Sequence, residues 1–123
     1  MHFDFNSDKP IYIQLAEGIK DAILGGAFEE ETQVPSTTEI SMRYKINPAT
    51  ALKGLNILVD SGMLYKKRGV GMFVSKGAAK VILKQRQKVF FDTYVNKLVE
   101  EAEKLNISKE EIIDMIKRGF KDE

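Results

Sequence analysis

Two helix starts stand close together in this chain, and they constrain its fold more than any other feature. Ser36-Thr37-Thr38-Glu39 has the capping-box pattern, a hydroxyl three residues before a carboxylate that returns the hydrogen bond. Asn47-Pro48 is an N-cap followed by proline at the first helical position. The first signal opens a short helix carrying Ile40 and Tyr44, and only Lys45-Ile46-Asn47 separates it from the second. Two short helices with so tight a connection predict a helix-turn-helix.

The flanking segments extend this pattern. Upstream, Ile11, Leu15, Ile19 and Ile23 recur every four residues, with Tyr12, Ala16 and Ala22 beside them. This predicts an amphipathic helix with Pro10 at its first position, Ser7 or Asp8 as its cap and Gly25-Gly26 as its stop. In the helix after Asn47, Ala51, Leu55, Leu58 and Gly62 share one face, with Leu52 and Val59 beside it. Thr50, Lys53 and Ile57 lie on another, flanked by Ala49 and Asn56. Met63–Lys67 and Met72–Ser75 then read as strands around Arg68-Gly69-Val70-Gly71, a loop whose glycines allow a tight reversal. Helix, turn, helix and basic-tipped hairpin follow the order of a winged helix-turn-helix.

The remainder predicts two more helices. No Gly or Pro interrupts the chain from Ala78 to Asn106, which predicts one long helix. Phe91, Val95, Leu98, Ala102 and Leu105 are spaced 4, 3, 4, 3 along it, a coiled-coil-like seam that Phe90 and Tyr94 widen. A second capping box, Ser108-Lys109-Glu110-Glu111, opens a last helix with Ile112, Ile113, Ile116 and Phe120. The expected architecture is mainly α with a small β-hairpin wing. Residues 1–77 would form a winged helix-turn-helix DNA-binding domain, and residues 78–123 a two-helix dimerisation domain.

Charge sharpens the functional reading. The 19 Lys and Arg nearly balance the 18 Asp and Glu, for a net charge of +1. The balance is not uniform. Residues 1–35 carry 2 basic and 7 acidic side chains, a net of −5. Residues 36–76 carry 7 basic and 2 acidic, a net of +5, and residues 77–123 carry 10 basic and 9 acidic, a net of +1. Charges act over roughly 8–10 Å at physiological salt, so the local excess matters more than the sum. The positive block coincides with the helix-turn-helix and hairpin. The acidic block, Glu29-Glu30-Glu31 included, would limit non-specific attraction to DNA.

Other classes find little support in the residues. There is no Cys, which excludes a disulfide scaffold, a Cys-ligated zinc site and a thiol nucleophile, and fits a reducing cytoplasm. The only His is His2, and no convergent acid–base set accompanies it, so the chain is not expected to be an enzyme. Glu100, Glu101 and Glu103 lack His or Cys neighbours and read as a solvated helix face, so neither metal nor cofactor is expected. No apolar run approaches the ~20 residues of a membrane span, and the first residues lack the basic region of a signal peptide.

Thr50 and Lys53 lie three residues apart on one helix face and suit either phosphate or base edges, aided by free N–H groups at the helix start. The plain alternative is a solvated face. Lys66, Lys67 and Arg68, next to Gly69 and Gly71, suit approach to a groove; the alternative is an edge hairpin that lysines keep soluble. The C-terminal seam is expected to pair with a second copy, the alternative being that it folds back on the chain's own first helix. A two-helix tail is also too small to enclose a typical ligand pocket of roughly 300–1,000 Å³, so any small-molecule effector is left unidentified. The competing functional reading is a winged-helix module that binds another protein and not DNA.

The segments Pro10-Ile11-Tyr12-Ile13-Gln14-Leu15-Ala16, Val34-Pro35-Ser36, Asn47-Pro48-Ala49-Thr50 and Arg68-Gly69-Val70-Gly71-Met72-Phe73-Val74 resemble the GntR family of bacterial transcription regulators. The short tail and the Asn-Pro helix start are similar to the YtrA-like subfamily. The resemblance implies a homodimeric repressor of double-stranded DNA with an inverted-repeat operator, often beside a transporter operon. By position, the resemblance carries DNA contact over to Ser36, Thr50 and Lys53 and places Gly69 and Gly71 at the wing tip; Thr37, Thr38, Arg43, Lys45, Asn47, Ala49, Lys67 and Arg68 complete the expected DNA-binding surface. Three positions depart from the family pattern. Thr38 stands where the family usually has a DNA-contacting Arg. Lys45 replaces the Gly of the turn, where a left-handed conformation would be strained. Arg is common at the positions of Pro48 and Leu52; the proline is normal for the subfamily, and Leu52 is expected in the core.

Overall fold

A computed structural model describes residues 1–121, so residues 122 and 123 of the expected dimerisation domain lie outside the described residues. The chain divides into two compact units, Met1–Lys84 and Gln85–Glu123.

In the first unit, α1 (Ile11–Leu24), α2 (Thr37–Tyr44) and α3 (Pro48–Asp60) precede a two-stranded antiparallel hairpin of β1 (Leu64–Lys67) and β2 (Gly71–Val74). The caps expected for α2 and α3 form, whereas the Ser7 or Asp8 cap expected for α1 does not. Ser36 Oγ accepts the Glu39 N–H at 3.1 Å, and the Glu39 carboxylate accepts the Ser36 N–H at 2.9 Å. Asn47 Oδ1 accepts the Ala49 N–H at 2.8 Å, and Pro48 opens α3. Pro10 sits one place earlier than expected, at the N-cap, where it offers no side-chain acceptor. Gln14 closes that entrance instead. Its carboxamide accepts from the Asp4 N–H and donates to the Asp4 and Lys9 carbonyls, each at 2.8 Å.

The core joins Leu15, Ile19 and Ile23 of α1 to Ile40 of α2 and to Ala51, Leu55 and Leu58 of α3. Leu64 and Val74 of the hairpin complete it, together with Ala78 and Ile82 of α4 (Ala78–Phe90), whose first turns therefore belong to this unit. Helix α1 meets α3 at Gly54, where a Cβ would stand 2.8 Å from the Tyr12 carbonyl oxygen and 2.9 Å from Leu15 Cδ2. That approach centres the buried face of α3 on Ala51, Gly54, Leu55 and Leu58. It also corrects one expectation: Leu52 lies outside the core, 41% exposed.

The hairpin pairs Leu64 with Val74, Tyr65 with Phe73, Lys66 with Met72 and Lys67 with Gly71. The outer edge of β2 is covered by the segment after the acidic turn. The N–H groups of Glu31 and Val34 donate to the Val74 and Met72 carbonyls, and the Val74 N–H donates to the Thr32 carbonyl. Glu30 reaches further along the chain and accepts the Gly77 N–H at 2.8 Å, at the start of α4.

The second unit contains the end of α4, α5 (Asn96–Lys104) and α6 (Lys109–Gly119). The long helix expected from Ala78 to Asn106 is interrupted by a π-helical turn, Phe91–Val95, closed by the Asn96 N–H donating to the Phe91 carbonyl. One extra residue in a helical turn rotates the following face by about 100°. The seam drawn through Phe91 and Val95 at α-helical spacing is therefore offset at this point. Asn106 ends the helix region with a left-handed φ of 57°. The Ser108–Glu111 capping box opens α6 with bonds of 2.9 and 3.1 Å.

Candidate nucleic-acid interface

The +5 block spans α2, the turn, α3 and the hairpin and ends at Lys76, just beyond β2. Lys45 makes the turn. It adopts the left-handed conformation, φ 55° and ψ 48°, and its N–H donates to the Ser41 carbonyl. Ser41 Oγ in turn donates to the Ile46 carbonyl at 2.6 Å, and the Ile46 side chain is buried. The conformation expected to be strained is thus imposed by the bonds on either side, and it leaves the Lys45 side chain exposed.

The side chains expected at the interface fall into three groups. Ser36 and Asn47 spend their oxygens on helix N–H groups, which leaves the Asn47 amide N–H groups outside the cap bond. Thr38, Arg43, Ala49 and Lys53 are exposed, whereas Thr37 and Thr50 are half-buried. The Arg43 guanidinium stands 5.7 Å from the centre of the Tyr44 ring. Lys53 lies on the outward face of α3, and its ammonium rests 4.1 Å from the centre of the Tyr12 ring of α1. The close approach at Gly54 brings that ring beside the lysine. Neither Tyr12 nor exposed Leu52 was legible as part of this surface from helical spacing alone.

The wing is fixed by contacts from the acidic side. Gln33 donates its amide N–H to the Val70 carbonyl at 2.9 Å, and a Cβ on Gly71 would collide with that amide. Gly71 also has φ 146°, which L side chains rarely adopt, so the backbone itself calls for glycine here, while the Gln33 amide could swing aside only by giving up its bond to Val70. Lys67 rests its ammonium 4.4 Å from the centre of the Phe73 ring, and Tyr65 stacks on the same ring at 5.7 Å. The Tyr65 hydroxyl donates to Glu31 at 3.1 Å. Loss of water around the phenol, and then the Glu31 carboxylate, push its pKa above the ordinary tyrosine value. The tip residues Arg68, Gly69 and Val70 are exposed. Glu30 and Glu31 are therefore structural parts of this unit as well as sources of negative charge.

The residues expected to dimerise lie in the second unit. Phe90, Phe91, Tyr94, Leu98, Leu105, Ile113, Ile116 and Phe120 are exposed, Val95 and Ile112 are half-buried, and only Ala102 is buried. Ala102 is covered within its own chain, where its carbonyl accepts the N–H groups of Leu105 and Ile107 as the chain turns back toward α6. Of the acidic cluster on α5, Glu101 pairs with Lys97 at 3.5 Å and with Lys104 at 3.2 Å. In the first unit a groove of about 720 Å³ runs between the N-terminal residues, α1 and α2, and includes Lys9, Phe28, Arg43 and Tyr44 in its lining. No buried side-chain polar atom among the described residues lacks a partner, and no helix among them is long and apolar enough to cross a membrane.

Three helices, a left-handed turn between the second and third, and a clamped basic hairpin define a winged helix-turn-helix protein. Residues 11–74 match the gntR family of bacterial regulatory proteins, and the chain belongs to that family. The family consists of transcriptional regulators, which are not enzymes. The chain is similar to the transcriptional repressor NagR of Bacillus subtilis, at 36% identity over 76 residues, 62% of this chain but only 31% of NagR. It is 26% identical to the repressor YtrA of the same organism over 117 residues, 95% of this chain and 89% of YtrA. A regulator of the GntR family from Bacteroides thetaiotaomicron is 34% identical, with a TM-score of 0.75, covering 89% of this chain and 96% of that one. The DNA-binding domain of AraR, solved with its operator ORX1, is 27% identical with a TM-score of 0.55, covering 61% of this chain and 93% of that one. The match along nearly the whole of YtrA agrees with a YtrA-like regulator.

Proposed function

We propose that this protein is a homodimeric transcriptional repressor that binds an inverted-repeat operator in double-stranded DNA, with residues 1–77 reading DNA and residues 78–123 forming the dimer. The observation that carries the reading is that the +5 segment, residues 36–76, folds within one compact unit as a helix-turn-helix with Lys53 exposed on α3 and a clamped hairpin bearing Lys66, Lys67 and Arg68. The start of α3, where Pro48 has no N–H and Asn47 already takes that of Ala49, offers phosphate the positive end of the helix dipole. Lys53, Ala49 and the neighbouring side chains face the groove, while Arg68 at the wing tip suits a narrow minor groove. Ser36, Thr37, Thr38, Arg43, Lys45, Asn47 and Thr50 serve phosphate, and Lys67, Gly69 and Gly71 shape the wing. The AraR–operator structure supports this docking by its similarity over the same region.

Dimerisation is supported by the exposed apolar residues of the second unit, which a single copy leaves in water. A pair of reading heads suits half-sites about 34 Å apart. The likeness to YtrA-like regulators supports a site of action in the cytoplasm and makes a neighbouring transporter operon the first target to test; no effector is assigned. Titration of a fluorescent duplex from the gene's own upstream region at several salt concentrations tests DNA binding. Each phosphate contact should contribute about −0.9 to the log–log slope. A flat slope without DNA retention, and a stable protein partner captured instead, would replace this reading with a protein-binding module. Sedimentation should give a dimer at micromolar concentration; a monomer there would overturn the dimer.

A further inference from the structure

The outward face of α3 carries two apolar side chains in the middle of the basic block. Ala49 and Leu52 are exposed, Leu52 at 41%, and they stand three residues apart, on neighbouring turns of one face. Lys53 and Asn56 flank them, while Ala51, Gly54, Leu55 and Leu58 point the opposite way into the core. Single exposed leucines are common on protein surfaces. This one stands on the helix proposed to enter the groove, beside an ammonium that the Tyr12 ring holds at 4.1 Å.

We propose that Leu52, seconded by Ala49, is the thymine reader of this protein, recognising the 5-methyl group in the major groove. The inference rests on the reading that α3 enters that groove. Among the four base pairs seen from the major groove, the one apolar feature is the thymine methyl; every other distinguishing group is a donor or an acceptor. An isobutyl side chain makes no hydrogen bond. Against a methyl it removes apolar surface from water. Against a cytosine amino group or a guanine oxygen it displaces water and leaves the polar group unpaired, which is costly. Leu52 therefore favours thymine and rejects the alternatives, while Lys53 remains for guanine acceptors or phosphate and Asn56 for adenine. The half-site is expected to hold at least one thymine at the position facing the second turn of α3.

The test uses the full chain. Binding sites are selected from a random duplex pool, and each thymine of the selected half-site is then replaced singly by uracil, which removes the methyl and nothing else. One or two replacements should weaken the wild-type protein about fourfold, the effect of one buried methyl-sized group. Leu52→Ala shortens an exposed side chain and leaves the core intact. It should bind the thymine and uracil versions of those duplexes equally, at unchanged thermal stability. If selection enriches a sequence but uracil is tolerated everywhere, or if Leu52→Ala keeps the full discrimination, the inference fails while the DNA-binding reading stands. If no sequence is enriched, both fall.

Discussion

Replacing Lys45 with glycine should make this protein more stable and a weaker DNA binder at once. The residue sits at φ 55°, ψ 48°, between a backbone bond to Ser41 and the buried side chain of Ile46. An L-residue in that region carries a penalty of about 1–2 kcal/mol, because its Cβ crowds the following carbonyl. Lys45→Gly removes the penalty. Glycine gives back about 0.5–1 kcal/mol through the greater freedom of the unfolded chain. The net gain is about 0.5–1 kcal/mol, which for a unit of this size raises Tm by about 2–8 °C. Melting followed by far-UV circular dichroism measures it. Lys45→Gln is the companion, since it removes the charge but keeps the strained backbone. Its Tm should match the wild type, while both variants lose about 0.9 from the salt slope of DNA binding if Lys45 meets phosphate. A glycine variant that melts at or below the wild-type temperature would refute the claim that the turn stores strain.

Gly54→Ala places a methyl 2.8 Å from the Tyr12 carbonyl oxygen, and urea unfolding should show a loss of about 1–3 kcal/mol as α1 and α3 are forced apart. Ser36→Ala removes the α2 cap and should cost about 1 kcal/mol near neutral pH. The backbone N–H of Ser36, and then its hydroxyl, hold the Glu39 carboxyl below its ordinary value of 4.5. A carboxyl depressed by folding stabilises above its unfolded pKa and loses that contribution as the pH falls through 4.5 and below. Stability measured against pH in that window should therefore fall less steeply in Ser36→Ala than in the wild type. Tyr12→Leu takes the ring from beneath Lys53 and should weaken specific DNA binding about two- to fivefold, the worth of an exposed cation–π contact, whereas Tyr12→Phe should retain it. Glu29→Gln should raise non-specific DNA binding with no change in melting, but Glu30→Gln should also destabilise by about 0.3–1 kcal/mol because its carboxylate meets the start of α4.

What the sequence made legible follows the range of the interactions. Caps act over three residues, and Ser36–Glu39, Asn47–Pro48 and Ser108–Glu111 could all be read by eye. The hairpin followed from Gly69 and Gly71 between two apolar runs. Contacts that close over long separations left no local mark. Gln14 reaches back 10 residues to Asp4, Gln33 reaches 37 to Val70, and Glu30 reaches 47 to Gly77. The π turn lies in a stretch whose only signal was the absence of Gly and Pro. Leu52 illustrates the limit of periodicity, because a helix wheel cannot say where along its apolar arc the neighbouring helix will press. Gly54 settles that, and only a structure shows that the pressure comes from Tyr12 and Leu15.

The strip from Glu31 to Val34 has a consequence for how such a reader can change. It grips β2 through main-chain atoms, and Gln33 holds the tip by the carbonyl of Val70. None of those grips consults the side chains of Arg68 or Val70. Mutation can therefore rewrite the chemistry that the wing presents while the frame stays still. A lineage built on this frame can drift from one operator to another by small steps, each leaving a folded protein to be selected.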